Sequence, residues 1–258
     1  MAKTKRLKTV RAGRLVFAAC YTQVRPGDSQ RARAAKSKCS SLARQRLNFR
    51  YAWQKLRLLL AANFGRGDLW VTLTYDDEHL PPNRKEAKRQ VTAFLDRMRY
   101  ARKRQGVVLK YCYSTHEIQE DGSRRLHHHM VLNASGDGKD IALIRRLWGN
   151  GSNIEVMLLG NAEMYRNDDM LELAQYILHE RNPEATEHAT GDRGWCGSRN
   201  LDKPEITSEL VDDADSIDIP KGAYVLDSET KINEFGSFEY VCYLLPKTED
   251  GLILSVSG

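Results

Sequence analysis

The segment Arg124–Asn133, RRLHHHMVLN, places three consecutive histidines at the start of a short apolar run. Side chains two residues apart on a β-strand point to the same face, so His127 and His129 share one face and His128 points to the other. Two neutral imidazoles on one face can bind one divalent metal ion. The segment therefore predicts a strand with a metal site on one face and a packed histidine on the other.

A second strand is predicted just before this one. Residues Tyr111–Ile118, YCYSTHEI, alternate along the chain as a strand does. The intervening segment Gln119–Arg125, QEDGSRR, contains Asp121-Gly122, a dipeptide typical of hairpin turns. The two strands are therefore predicted to pair as a β-hairpin.

The hairpin supplies a third metal ligand. It brings the carboxylate of Glu117 close to His127 and His129, and this ligand set leaves positions open for a substrate oxygen. The neighbouring His116 should face away from the site if its strand is regular. The sequence thus predicts a divalent metal centre formed by Glu117, His127 and His129.

Composition indicates a globular protein with reduced thiols. The 258 residues, 41% of them hydrophobic, can form one domain, or one domain with an appendage. No apolar run is long enough to span a bilayer, and no apolar segment of a secretory signal follows the basic N-terminus. The five cysteines are scattered and form no C-x-x-C pair, which argues against a zinc ribbon and for a cytosolic protein.

Charge is distributed very unevenly along the chain. Residues 1–110 contain 27 Lys and Arg against 7 Asp and Glu, a net charge of +20, whereas residues 111–258 carry a net charge of −14. Such a basic half either binds a polyanion, with nucleic acid as the leading candidate, or forms a solvated basic surface.

A phosphate-binding loop is excluded by spacing. The segment GDGKD at residues 136–140 lacks the glycine spacing of that loop. Asp140 also stands where Ser or Thr would hold magnesium. We therefore expect no helicase activity from this chain, and unwinding of a duplex would need a separate helicase.

The rest of the chain alternates helices and strands. Residues 1–28 are predicted to form a basic arm, and Leu210–Ser216 an acidic surface link. Helices are predicted at Ser29–Phe64, Arg84–Gln105 (with Arg102 on its outer face), Ile141–Trp148 and Asp168–Arg181, and further strands at Leu69–Tyr75, Asn153–Leu159 and Phe235–Leu245. This order predicts an α+β fold of ferredoxin-like type, with a central antiparallel sheet and flanking helices.

The helix predicted at Asp168–Arg181 carries a candidate nucleophile, Tyr176, with Glu172 and His179 one turn away on either side. One interpretation is an ordinary core or surface tyrosine. The other is a nucleophile, because a metal-polarised phosphate and a nearby base can activate a phenol whose pKa is ordinarily about 10. The second interpretation requires this helix to pack beside the histidine strand.

Several segments in this order resemble the HUH endonucleases, and among them most closely the rolling-circle replication initiators, or Rep proteins, of phages and plasmids. The segments are Asp68–Glu78 (DLWVTLTYDDE), Glu117–Asn133 (EIQEDGSRRLHHHMVLN), Leu173–Glu180 (LAQYILHE) and Trp195–Pro204 (WCGSRNLDKP), with Asn48–Phe64 similar to the basic helix that precedes the nuclease core in bacterial versions. The resemblance covers most of residues 45–205. It implies a basic N-terminal arm and helix at 1–66, an HUH endonuclease domain at 67–205 and a C-terminal extension at 206–258.

The resemblance also implies a mechanism. Glu117, His127 and His129 would bind Mg²⁺ or Mn²⁺, and Tyr176 would attack single-stranded or hairpin origin DNA to form a 5′-phosphotyrosine link. The protein would act in the cytoplasm of a bacterial host with the host helicase and polymerase. A second cut would need a second protomer or another nucleophile, for which Tyr165 is poorly placed.

The chain departs from the family pattern at two positions. His128 replaces an apolar residue, and we expect it to be a packed, neutral imidazole with one hydrogen bond. His179 replaces a lysine three residues after the tyrosine, where it could donate a proton but carries weaker positive charge. Three alternatives stay open: a transposase-like HUH nuclease, a non-catalytic DNA-binding regulator, and a metal-dependent hydrolase that uses water.

Overall fold

The computed structural model describes residues 5–22, 42–118, 123–181, 194–212, 215–233 and 236–247. The chain forms two compact units, one of residues 45–202 and one of residues 1–44 together with 203–258. Each unit contains one five-stranded antiparallel sheet. The predicted turn at Asp121-Gly122 and residues 29–41 of the first predicted helix lie outside the described residues.

Fourteen helices and strands follow one another in the described residues. They are β1 (Lys5–Ala12), β2 (Leu15–Thr22), α1 (Leu42–Asn63), β3 (Leu69–Leu73), α2 (Arg84–Arg104), β4 (Tyr111–Ile118), β5 (Arg124–Leu132), α3 (Asp140–Trp148), β6 (Ile154–Leu158), α4 (Leu171–Leu178), β7 (Cys196–Gly197), β8 (Glu205–Val211), β9 (Tyr224–Asn233) and β10 (Gly236–Leu244). Between residues 69 and 181 the observed ends lie within three residues of the predicted ones. A short 3₁₀ turn, His179–Arg181, continues α4.

The unit of residues 45–202 confirms the predicted α+β fold. Its sheet has the strand order β6-β3-β5-β4-β7. The elements β3, α2, β4, β5, α3 and β6 follow the β-α-β-β-α-β order of a ferredoxin-like fold. The histidine strand β5 lies at the centre of this sheet, between β3 and β4.

Hydrophobic cores cover both faces of this sheet. Helices α2 and α3 contribute to the core that contains Val71 and Met130, whereas α1 and α4 contribute to the core that contains Trp70 and Val131. Adjacent residues of β3 and of β5 thus enter opposite cores, as the alternation of a strand requires. No helix in the described part of the chain combines the length and apolarity needed to span a membrane.

Arg102, predicted on the outer face of α2, is instead fully buried. It lies four residues after Met98 and so continues the buried stripe of the helix. Its Nη2 lies 2.6 Å from Oδ1 of Asp140 and donates to the carbonyl oxygen of Asn133. Asp140, considered above for a phosphate loop, therefore forms a buried ion pair between α2 and α3.

The unit that contains both ends of the chain corrects the prediction of a basic arm. Residues 5–22 form a hairpin in which Gly13, with φ of 57°, occupies the first position of a two-residue turn. The sheet order is β8-β1-β2-β10-β9, and alternate residues such as Val16, Ala18 and Val241 form its core. Basic side chains dominate β1, but pairing with the distant β8 makes it a strand.

The C-terminal segment of the chain completes this second sheet. The predicted surface link Leu210–Ser216 begins inside β8, and the predicted last strand Phe235–Leu245 is β10. β8 was missed because it is an edge strand whose side chains are almost all exposed, so no apolar alternation marks it. The domain boundaries predicted from the sequence fall at 66/67 and 205/206. The boundaries between the two observed units fall at 44/45 and 202/203.

We expect Asp140→Asn to lower the free energy of unfolding by about 3–5 kcal/mol, because it leaves the Arg102 charge buried and unpaired. Urea denaturation measures this loss. The control is Asp96→Asn, which removes an exposed ion pair with Arg99 one turn away and should cost less than about 1 kcal/mol. Equal losses in the two variants would contradict the role assigned to the buried pair.

Candidate active site

The register of β4 against β5 decides which side chains meet on the sheet. His116 pairs with His127, and Ser114 pairs with His129. Directly opposite residues of antiparallel strands project from the same face. The expectation that His116 faces away was therefore wrong, and its ring centroid lies 5.6 Å from that of His127 and 4.7 Å from that of His129.

The predicted turn already implied this register. A two-residue turn at Asp121-Gly122 pairs residue 120 with residue 123, and counting outward then pairs His116 with His127 and Glu117 with Leu126. That count puts Glu117 on the face opposite His127. The turn itself is outside the described residues. The observed pairing of His116 with His127 agrees with the count, whereas Ile118 pairs with Arg124 and not with Arg125, because the register shifts between His116 and Ile118.

Glu117 lies at an irregularity of β4, where the pairing with β5 shifts between His116 and Ile118. Such a β-bulge redirects the side chains around it. The Glu117 side chain is 44% exposed, and its Oε2 lies 3.8 Å from Nη2 of Arg84. Among the described residues, His116 and not Glu117 completes the group of possible metal ligands with the two predicted histidines.

Two of these imidazoles have a defined tautomer. Nε2 of His116 donates to the carbonyl oxygen of Ile177 at 3.0 Å, and Nδ1 of His127 donates to that of Arg125 at 2.9 Å. A carbonyl oxygen only accepts, so the other ring nitrogen of each histidine presents a lone pair. Nδ1 of His116 is buried and has no hydrogen-bond partner among the described residues.

Thr72 and Glu155 orient the third imidazole, that of His129. Oγ1 of Thr72 lies 3.3 Å from Oε2 of Glu155 and 3.3 Å from Nδ1 of His129. Because the carboxylate accepts the hydroxyl proton, the hydroxyl oxygen accepts from Nδ1 and leaves a lone pair on Nε2 of His129. A metal-binding histidine usually donates its other ring N–H to a hydrogen-bond acceptor in this way.

Burial keeps the three imidazoles neutral. It lowers the pKa of His116 to about 4, and it lowers the pKa of His127 and, more strongly, that of His129. Nitrogen atoms of the three rings, one from each, lie within 4.8 Å of one another. The group could therefore hold a metal ion.

His128 lies on the other face of β5, as predicted. It is fully buried, with Nε2 2.6 Å from Oη of Tyr75 and Nδ1 3.0 Å from Oγ1 of Thr115. It thus makes two hydrogen bonds where one was expected. Burial lowers the pKa of His128 to about 3, so its role is that of a neutral core residue.

Helix α4 brings Tyr176 to the histidine group. Its half-buried ring lies 5.0 Å from the ring of His129 and packs edge-on against Trp70, and its Oη lies 3.5 Å from Nε2 of His129. The condition for a nucleophile, that the helix packs beside the histidine strand, is therefore met. Glu172, one turn earlier, pairs instead with Arg166.

His179 is exposed at the end of the same helix. Its Nδ1 donates to the carbonyl oxygen of Tyr176 at 2.7 Å, and its ring centroid lies 4.5 Å from that of His116 and 5.5 Å from that of Tyr176. Because the carbonyl engages Nδ1, Nε2 is the nitrogen available to a substrate.

Comparison with known proteins gives a match to a family model. Residues 68–178 match the model of a family described as replication-associated proteins of the ORF2 type. This segment is less than half of the chain, and it runs from just before β3 to the end of α4 and contains the three clustered histidines and Tyr176. The match supports a replication initiator family. No curated protein and no solved structure gives a significant match.

We expect His116→Ala to weaken Mn²⁺ binding by more than the roughly 10- to 100-fold that is typical when an outer-shell partner is lost. Glu117→Ala, one residue away on the same strand, should have a smaller effect because its carboxylate lies beside Arg84. Electron paramagnetic resonance of free Mn²⁺ measures both affinities without DNA. A larger loss in Glu117→Ala would restore the ligand set predicted from the sequence.

Proposed function

We propose that this protein is a replication initiator that nicks and rejoins single-stranded origin DNA, with a divalent metal ion and Tyr176 as nucleophile. The observation that carries the proposal is the 3.5 Å distance between Oη of Tyr176 and Nε2 of His129. A phenol is a weak nucleophile at neutral pH and needs a group that activates the attacked phosphate close by. This contact lies within the segment that matches the replication-associated family.

His116, His127 and His129 would hold the metal ion, either Mn²⁺ or Mg²⁺. When bound, the ion supplies positive charge that polarises the scissile phosphate and leaves positions open for its oxygen. Thr72 and Glu155 hold His129 in the tautomer that this role needs. The buried, unpartnered Nδ1 of His116 supports the same role, since buried polar atoms without a partner are rare in proteins.

The reaction is a transesterification. Tyr176 gives its phenolic proton to water, and its Oη attacks the phosphorus, so that an Oη–P bond forms while the bond from phosphorus to the 3′ oxygen breaks. The 3′ oxygen takes up a proton, and the DNA is left with a free 3′-OH and a 5′-phosphotyrosine link. Attack by a 3′-OH on that link reverses these changes and rejoins the strand without consuming a nucleotide.

His179 would serve the leaving group. Its exposed ring lies beside Tyr176 and His116, and its Nε2 is available to a phosphate or a 3′ oxygen. A general acid at this position can donate the proton that the 3′ oxygen takes up. The lysine that the family usually has at this position would share this role.

The strand to be cut would enter along α1. This helix packs on the same face of the sheet as α4, whereas the basic helix α2 packs on the other face. α1 exposes Arg50 and Lys55, which can contact phosphates, while its buried Arg57 donates to the carbonyl oxygen of Asp169 just before α4. A host helicase would unwind the duplex, and a host polymerase would extend the released 3′-OH.

Tyr176→Phe should abolish the covalent adduct between the protein and a labelled single-stranded origin oligonucleotide in Mn²⁺, because it removes only the attacking oxygen. Denaturing gel electrophoresis detects the adduct. The control is Tyr165→Phe, since that hydroxyl is buried against Asp168 and should not take part.

Each other outcome of this assay supports a different function. An adduct that persists in Tyr176→Phe would show that another residue is the nucleophile. Cutting without an adduct would favour the metal-dependent hydrolase, and tight binding without cutting would favour the regulator.

His179→Ala should slow adduct formation at saturating DNA by about 100-fold, the lower end of the range for general acid–base catalysis. His179→Lys, which introduces the usual residue of the family, should recover most of the rate. Single-turnover kinetics separates the step from DNA binding. An unchanged rate in His179→Ala would remove His179 from the reaction.

A further inference from the structure

Glu180, which follows His179, has a carboxylate that joins three segments of the 45–202 unit. The residue is only 5% exposed. Its Oε1 accepts the backbone N–H groups of Glu117 at 2.6 Å and of Ile118 at 2.7 Å. Its Oε2 lies 3.0 Å from Nη2 of Arg84, the first residue of α2. The end of the nucleophile's helix is thus fastened to β4 and to α2.

The two N–H groups belong to the β-bulge beside His116. At this bulge the pairing of β4 with β5 shifts, so the hydrogen bonds between the two strands are irregular in this part of β4. The Glu180 carboxylate holds it instead. Arg84, its partner, also donates through Nη1 to the carbonyl oxygen of Thr115. His116 is therefore held by Arg84 through the residue before it and by Glu180 through the residue after it.

Helix α4 also contacts His116 directly. Its Ile177 carbonyl oxygen accepts from Nε2 of His116, and Tyr176 is the preceding residue of that helix. One helix end thus carries the attacking oxygen, fixes the tautomer of one imidazole and, through Glu180, holds the backbone of the same imidazole. The position of Tyr176 relative to the histidine group depends on these bonds.

We propose that Glu180, held by Arg84, is a positioning residue that sets His116 against the metal ion and Tyr176. The inference deepens the proposed function and rests on it. Glu180 lies close enough to His116 and His179 to form a second group of possible metal ligands. Both of its oxygens, however, already accept hydrogen bonds from two backbone amides and from a guanidinium. The carboxylate therefore acts on the backbone rather than as a ligand.

Glu180→Gln tests this role with almost no change of shape. A glutamine has one acceptor oxygen, so it cannot accept from both the bulge and Arg84. In either orientation of the amide, its NH₂ group faces another hydrogen-bond donor, either Arg84 or the two backbone N–H groups of the bulge. We expect Mn²⁺ affinity of the DNA-free protein to fall by about 10- to 100-fold, as when a partner behind a metal ligand is lost. The rate of adduct formation at saturating DNA should fall too, with DNA affinity in EDTA unchanged.

Arg84→Lys is the second variant. A lysine keeps the charge but cannot present the two separate nitrogens that contact Glu180 and Thr115. It should lower Mn²⁺ affinity in the same direction and by less than Glu180→Gln. The amide resonances of Glu117 and Ile118 should shift in both variants, which reports the bulge directly.

Asp140→Asn is the control for a general loss of stability. It weakens the pair with Arg102 on the opposite face of the sheet and should leave Mn²⁺ affinity unchanged. Wild-type Mn²⁺ affinity in Glu180→Gln would overturn the proposal, and so would loss of the fold in both variants, which would assign the pair to stability. If wild type binds Mn²⁺ but forms no adduct, the proposed function fails while the effect of Glu180 on the metal site is still measured.

Discussion

The pairing of His116 with His127 across β4 and β5 is the constraint on which the candidate site depends. A slip of one residue would move every side chain of β4 to the opposite face of the sheet. His116 would then enter the core beneath α2, and the group of three imidazoles would be lost. The same register puts Ser114 opposite His129. Thr72, which orients His129, is aligned with it by the separate pairing of β3 with β5.

This site concentrates buried polar groups in a way that a purely structural core would avoid. His116, His127, His128 and His129 are all buried, and burial lowers the pKa of each. Hydrogen bonds to carbonyl and hydroxyl groups stabilise the neutral rings. The exception is Nδ1 of His116, and a buried atom without a partner costs about 1–3 kcal/mol. A metal ion bound to Nδ1 of His116 would remove that cost. The unpartnered nitrogen, which destabilises the fold, is therefore the atom that the proposed function requires as a metal ligand.

Tyr176 is positioned by packing as well as by hydrogen bonds. Leu173, Ile177 and their neighbours on α4 are buried against the sheet, and Arg57 of α1 holds the segment just before the helix. Glu180 then fastens the far end of the helix to the bulge in β4. Because both ends of α4 are held, the Tyr176 ring stands against Trp70 and His129.

The sequence by itself determined the elements of the 45–202 unit except the two-residue strand β7, because apolar periodicity, glycines and prolines are local signals. It also determined that His127 and His129 share a face and that His128 opposes them. It did not reveal β1, β2, β8 and β9 as strands, since β1, β8 and β9 are charged or exposed and β2 is held in the sheet by pairing with the distant β10. The tertiary structure alone decided the third member of the histidine group and the role of Glu180. The bulge at Glu117 and the contacts of Arg84 arise where three separate segments meet, and no local pattern encodes such a meeting.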